Sequence, residues 1–361
     1  MPQNLILIII IKLIKKKPLK KNIVKKTIIL TLLIANIYLI LGCNFNQNKE
    51  IIAEQRIGEL SRIVLINTSS EPSFKFITDL ESKSTMPKWA PDKSNFAYIS
   101  VNNNKKNLWI SDSKGTQLEV VNYNDREISN FEWAPNSKEI AVEFIENSDE
   151  GNIFLYSLSL KSFLPITRPE KNAKLGSWSP DSEWIVYNID DSIYLSNPKG
   201  VNEIFITKGK EPKWSPNGEY LIFNRIENEI QSLWIYKNID KVVKNTGKNV
   251  KDTDYFGEVL HESEKVNISE YEWAYGGNKI LYINNHENNK EIYILDVKSK
   301  DIERLTNNKV DENNIVWSEK YRSILFISNA HNNSDIYQMK PDGSSQEIIL
   351  NSKDSFASLD W

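Results

Sequence analysis

One ten-residue phrase returns through this chain. Residues 178–187 read WSPDSEWIVY and residues 214–223 read WSPNGEYLIF; residues 89–98 read WAPDKSNFAY and residues 133–142 read WAPNSKEIAV. Self-similarity at a fixed period constrains a fold more than any local propensity, because each repeat is a unit that cannot bury its apolar face alone. The Trp landmarks are Trp89, Trp133, Trp178, Trp214, Trp273, Trp317 and Trp361, with gaps of 44, 45, 36, 59, 44 and 44 residues. A period in the low forties with strand-like segments inside it signals an all-β fold, a β-propeller of four-stranded antiparallel blades.

Each unit has the same internal order. A short strand ends at the Trp, as in NFEW (130–133) and EYEW (270–273). A turn follows, opened in four units by Pro91, Pro135, Pro180 or Pro216. Proline presets φ for the first corner and Asp, Asn or Gly suits the next. The second strand is almost wholly apolar, as in EIAVEF (139–144) and SILFIS (323–328), which suits an inner position buried on both faces. The third alternates, as in NLWISD (107–112) and EIYILD (291–296), as a strand with one half-exposed face does. A short fourth strand closes some units, at 163–167, 204–207 and 303–306. The regular spacing reads the seven Trp as packing between blades.

Both ends of the chain complete this pattern. EIIAEQ (50–55), RIVLIN (62–67) and SFKFIT (73–78) read as second, third and fourth strands, and SFASLDW (355–361) as a first strand with nothing after it. The last strand is therefore expected to join the first three in one blade, which removes open sheet edges. The count is seven blades; six with stray terminal strands is the alternative if residues 50–55 are no strand.

The N-terminus reads as an address. Residues 1–42 carry eight Lys and no acid, and Thr27–Leu41 is a 15-residue uncharged, largely apolar run. A basic region before an apolar one marks a secretory signal, and 15 residues is short of the roughly 20 that span a membrane. Ile40-Leu41-Gly42-Cys43 resembles the bacterial lipobox, and Cys43 is the only cysteine in the chain. That resemblance implies a signal peptide over 1–42 that is removed, lipidation at Cys43 with acyl chains such as palmitate, a tether over 43–49, and the propeller over 50–361. Each acyl CH₂ buried in a membrane contributes about 0.8 kcal/mol, so several chains anchor stably.

The repeat itself resembles the WD-like propeller repeat of the TolB family over about residues 50–361. The resemblance implies the fold and, more loosely, a binding role in the cell envelope, because folds host many functions. TolB carries an α/β domain ahead of its propeller, and the stretch between Cys43 and Trp89 is too short for one. The same repeat accompanies the hydrolase domain of prolyl oligopeptidase-like peptidases, yet no G-x-S-x-G nucleophile elbow occurs here.

Little else in the sequence carries chemistry. Outside the first 42 residues, 37 basic residues face 48 acidic ones, an acidic body that excludes a nucleic acid backbone as the partner. The three histidines, His261, His286 and His331, lack metal-ligand spacing. The paired acids Asp190 and Asp191 fall in a polar loop, where solvated charge is the default. No cofactor or metal is expected. The longest unit carries an extra polar stretch within 237–267, with Tyr255 and Phe256 as a candidate binding loop, since long loops on rigid scaffolds often bind. The other candidate binding loops, on one face of the propeller, are those after second strands (102–106, 285–290) and after fourth strands (122–128, 307–312).

These observations lead to one expectation: a lipid-anchored propeller in the bacterial cell envelope, periplasmic or surface-exposed, binding a protein or peptide without catalysis. A propeller enzyme of hydrolase or lyase type and a glycan-binding protein, each using the central channel, are the competing readings.

Overall fold

A strand that is apolar along its whole length needs partners on both edges and layers on both faces, and the repeat supplies both. The computed structural model describes residues 50–361 except 69–72, 103, 146–151, 169–171, 229, 245–257, 264–267, 287–288, 331–333 and 352. Its strands form seven four-stranded sheets, every pairing antiparallel. Blade 1 holds β1 (Glu50–Ile57), β2 (Leu60–Asn67) and β3 (Ser73–Phe76). Blade 2 holds β4 (Thr85–Trp89), β5 (Asn95–Asn102), β6 (Lys105–Asp112) and β7 (Gln117–Val121). Blade 3 holds β8 (Ile128–Trp133), β9 (Glu139–Phe144), β10 (Ile153–Ser157) and β11 (Ser162–Pro165). Blade 4 holds β12 (Ala173–Trp178), β13 (Ile185–Ile189), β14 (Ser192–Ser196) and β15 (Glu203–Lys208). Blade 5 holds β16 (Lys210–Trp214), β17 (Tyr220–Glu227), β18 (Ile230–Lys237) and β19 (Glu258–Ser263). Blade 6 holds β20 (Ile268–Ala274), β21 (Lys279–His286), β22 (Asn289–Asp296) and β23 (Ile302–Arg304). Blade 7 holds β24 (Glu312–Ser318), β25 (Ser323–Ser328), β26 (Asp335–Met339) and β27 (Glu347–Leu350). The last strand, β28 (Ser355–Asp360), pairs with β1 and completes blade 1. Seven blades and the terminal closure are as the sequence leads one to expect, and residues 50–55 lie in a full strand.

Three fourth strands, β7, β19 and β27, are additional to those read from the sequence. The long unit differs from a plain polar loop. A short helix, α1 (Ile239–Lys244), follows the third strand of blade 5, and β19 occupies the fourth position within the same stretch. Ile239 of that helix is fully buried.

The Trp turns share one geometry. The second residue after each Pro closes back by a backbone hydrogen bond to the residue before that Pro: Lys93 N to Ala90 O at 2.8 Å, Ser137 N to Ala134 O at 2.9 Å, Ser182 N to Ser179 O at 3.0 Å, and Gly218 N to Ser215 O at 2.9 Å. All four donors have positive φ, between 58° and 77°, and only at Gly218 is that conformation free of a Cβ penalty. The turns also hold each other: Asp92 N donates to Ser137 Oγ and Asn136 N to Ser182 Oγ, each in the next blade.

Apolar residues pack between blades rather than within them. Ile99, Leu108 and Ile110 of blade 2 meet Phe131, Ile140 and Val142 of blade 3. At the closing seam, Ile51, Val64 and Ile66 of blade 1 meet Leu325, Ile327 and Ile336 of blade 7. The Trp strand is the innermost of each blade, and the apolar second strand lies one position out.

Candidate functional site: the central channel

The first strand of each blade lines a central cavity of about 770 Å³. Strand alternation sorts its residues. Two residues before each Trp stand Pro87, Phe131, Pro212, Tyr271, Ile315 and Leu359, all buried between blades, with the half-buried Gly176 in blade 4. One residue before each Trp stand Lys88, Glu132, Ser177, Lys213, Glu272, Val316 and Asp360, all half-buried. Apart from Ser177, these seven line the cavity.

The ring of charges is largely satisfied within itself. Lys88 pairs with Glu132 of the next blade and also donates to the Phe131 carbonyl at 3.0 Å. Lys213 repeats the arrangement three blades on, pairing with Glu272 at 2.9 Å and donating to the Tyr271 carbonyl at 2.8 Å. Burial works against the Lys213 charge, but Glu272, with help from Glu132 and Glu270, holds its pKa above the usual lysine value. Asp360 accepts from the backbone N–H of Trp89 at 2.7 Å with one oxygen and of Trp361 at 2.8 Å with the other. Ser177 Oγ accepts from Trp214 N at 2.7 Å.

Behind this ring, the first strands depart from regular pairing before each Trp, in blades 2 to 7 alike. Such irregularities leave backbone N–H groups without ladder partners, and side chains of the preceding blade take them. Glu54 accepts from Met86 N at 3.2 Å, Glu143 from Leu175 N at 2.7 Å, and Asn188 from Glu211 N at 3.2 Å. Glu270 accepts from Asn314 N at 3.1 Å, and Asn314 from Leu359 N at 2.9 Å. Glu54 and Glu143 are 1% and 3% exposed, so these carboxylates are spent on joining blades.

The seven Trp gather around the channel as packing groups. Six are buried, and Trp317 is half-buried against Tyr275, ring centroids 4.6 Å apart. Trp133, Trp178 and Trp273 each donate the indole N–H, at 3.1 Å, to the carbonyl of the residue just before the preceding blade's Trp: Lys88, Glu132 and Lys213. Cys43, Tyr255, Phe256 and His331 lie outside the described residues. Among the described residues, no group of three or more His, Cys, Asp or Glu side chains is placed to hold a metal ion. The channel ring escaped the sequence reading, although its signal was there: it is the column immediately preceding each Trp.

The architecture defines a seven-bladed β-propeller, sealed by its two terminal strands, with a polar channel carrying five carboxylates (Glu132, Glu211, Glu270, Glu272 and Asp360) and three lysines (Lys88, Lys174 and Lys213). Residues 72–246 match the TolB beta propeller domain family, and the propeller is TolB-like. Among solved structures it is similar to TolB from Acinetobacter baumannii, at 14% identity and TM-score 0.55, covering 86% of this chain and 66% of that one. It is also similar to the β-propeller domain of the Trilobed protease from Pyrococcus furiosus, at 13% identity and TM-score 0.59, covering 85% and 97%. A third is the Pyrococcus horikoshii acylaminoacyl peptidase, at 12% identity and TM-score 0.58, covering 85% of this chain and 51% of that one. The chain thus spans about two-thirds of that TolB and half of that peptidase. At these identities the likeness is one of fold. The Trilobed protease propeller is described as having an open velcro topology; here β28 pairs with β1 and the ring is closed. No curated protein matches the chain.

Proposed function

We propose that this protein is a lipid-anchored component of the bacterial cell envelope, periplasmic or surface-exposed, whose propeller binds a protein or peptide partner and catalyses nothing. The observation that carries the reading is the state of the channel's charged groups. Lys88, Glu132, Lys213 and Glu272 are paired with one another, and Asp360, Glu54, Glu143 and Glu270 are engaged on backbone N–H groups. A catalytic acid, base or nucleophile needs a pKa and a free position matched to its task. A ring of preformed pairs instead offers a rigid, polar, concave surface, and such surfaces bind with little ordering cost. The anchor rests on the Lys-rich leader, the apolar run Thr27–Leu41 and Cys43. Among the described residues, no helix is long and apolar enough to cross a membrane.

A second reading draws on the likeness to the propeller of the Trilobed protease and to the acylaminoacyl peptidase. In it the propeller admits peptides to a hydrolase.

Crosslinking and affinity capture from intact cells, with Cys43 retained, tests the main reading. A reproducible protein partner, lost when Lys213 and Glu272 are both reversed in sign, supports it. Capture of no protein, together with peptide hydrolysis by the purified chain, would replace it with the second. Acyl incorporation that survives Cys43→Ser would remove the anchor from the proposal.

A further inference from the structure

The seams between blades are closed near the start of each first strand, and two of them use the same neutral device. Asn152, fully buried, donates from Nδ2 to Ala173 O at 2.7 Å and accepts at Oδ1 from Ala173 N at 3.1 Å. Gln231 holds Ile268 in the same way, at 3.0 Å and 2.9 Å. Ala173 and Ile268 each stand five residues before a Trp. In blade 7 that position is Glu312, and the residue of blade 6 that matches Asn152 is Glu291. Both glutamates are completely buried. A carboxylate thus stands where the neutral clasping amide was, and a second one at the clasped position.

The two acids are joined by one residue of the loop between blades 6 and 7. Asn308 donates its backbone N–H to Glu291 Oε1 at 2.9 Å and its side-chain Nδ2 to Glu312 Oε1 at 2.5 Å. Their surroundings are unequal. Glu291 Oε1 also receives Arg304 at 3.0 Å and Asn289 Nδ2 at 2.6 Å. Among the described residues, Glu312 has only the Asn308 amide and, across the β24–β25 ladder, the hydroxyl of Ser328. The remaining oxygen of each carboxylate, Oε2, is buried without a hydrogen-bond partner among the described residues. The other ionisable groups nearby are acidic or already engaged. Asp311 accepts from Lys290 N, the Lys290 ammonium lies on Asn313, and Asp335 and Tyr337 approach from β26.

We propose that Glu312, joined to Glu291 through Asn308, holds a proton and so forms a pH-operated latch on the loop that joins blades 6 and 7. A carboxylate buried beside another acid, with no counter-ion of its own, favours its protonated form. Arg304 and two N–H donors lie on Glu291, whereas Glu312 meets neutral donors, so the proton is assigned to Glu312. Burial, with Glu291 and Asp311 adding to it against the weaker pull of Asn308 and Ser328, pushes Glu312 up to about 7. The sign follows from linkage. Between the ordinary carboxylate range and neutrality the folded protein holds more protons than the unfolded chain, so stability falls as pH rises through that window. The strain falls on Asn308 and its loop, which belongs to the same set of loops expected to form the binding face.

Replacing Glu312 by Gln keeps a polar side chain of the same shape and removes the titrating group. In the wild-type chain the urea midpoint should fall from pH 5 to pH 8, and E312Q should lose most of that slope. Amide exchange at Asn308 and Val310, measured at pH 8, should slow by about 10-fold or more in E312Q. An unchanged slope in E312Q would overturn the latch. Should E312Q not fold, carboxyl ¹³C titration of wild-type protein labelled at Glu decides: a Glu resonance moving near neutrality supports the proposal, and every Glu titrating in the ordinary range rejects it. Restoration of the pH 8 midpoint by millimolar calcium in wild type but not in E312Q would also reject it, by assigning the neutralising role to a cation.

Discussion

The indole N–H of Trp178 lies 3.1 Å from the carbonyl oxygen of Glu132, a residue of the preceding blade. Trp133 and Trp273 make the same bond to Lys88 and Lys213. The repeated Trp is therefore a fastener between units, combining a buried ring with one directional bond. Replacing Trp178 by Ala should cost about 3–5 kcal/mol, the range for a deleted buried aromatic. Trp178→Phe keeps much of the ring and still forfeits the bond, worth about 0.5–1.5 kcal/mol. Urea unfolding of the two variants separates ring from bond.

Glu143 is the partner of Leu175 N at 2.7 Å and of Lys174 at 3.1 Å. Glu143→Ala leaves a buried N–H without an acceptor, which costs about 1–3 kcal/mol. Glu143→Gln keeps an acceptor oxygen and should lose less. Amide exchange at Leu175 reads the difference directly.

Gly176 stands where the other first strands carry a larger side chain. A Cβ there would lie 2.5 Å from Pro212 O and 2.7 Å from Val186 O. Pro212 O cannot yield without parting blades 4 and 5, nor Val186 O without disturbing β13 beside it in blade 4, so Gly176→Ala should destabilise by about 1–3 kcal/mol, as overpacking does. An unchanged thermal midpoint would refute this account of the seam.

Lys213 and Glu272 are each well exposed to the channel, 40% and 39%. Solvent screening limits such a pair to about 1 kcal/mol or less. The folded-state pKa of Lys213 is raised, so its contribution is fully present below the unfolded lysine value and disappears only as pH climbs through the higher folded value. The loss on Lys213→Met should therefore be small and constant from pH 6 to pH 9. The double reversal, Lys213→Glu with Glu272→Lys, should restore stability, so any loss of partner binding that remains reports on recognition.

Removing residues 355–361 takes away β28, and with it the pairing of Ile52 with Asp360 and of Ala53 with Leu359. The exposed edge of β1 is an aggregation template. The truncated chain should lose its cooperative calorimetric transition and self-associate in sedimentation velocity.

The fold was legible because its period is written in large, invariant marks. Trp89 through Trp361 fix the phase, and the apolar runs fix the second strand. Outer strands are short and carry little burial: β7 and β27 each end in a single buried residue, Val121 and Leu350, too little for a period of two to show, whereas β3 and β23 lie where the repeat's fourth strand is written. The channel ring was harder for a different reason. Lys88 and Glu132 read as ordinary surface charges, and only the closing of the circle sets them side by side. Glu291 and Glu312 were hidden in the same way, since a buried acid at a strand end looks like a solvated one until the next blade covers it.

The closure of blade 1 also sets a schedule. Ser358 Oγ donates to Glu54 across 304 residues of chain. Contacts of such separation form late, because the loop entropy between them must be met first. Synthesis runs from the N-terminus, so β1, β2 and β3 exist long before their fourth partner. Until the final six-residue strand has left the ribosome and any export pore, the ring is an open spiral with one bare edge. During that interval the bare edge of β1 is a template on which other chains can pair.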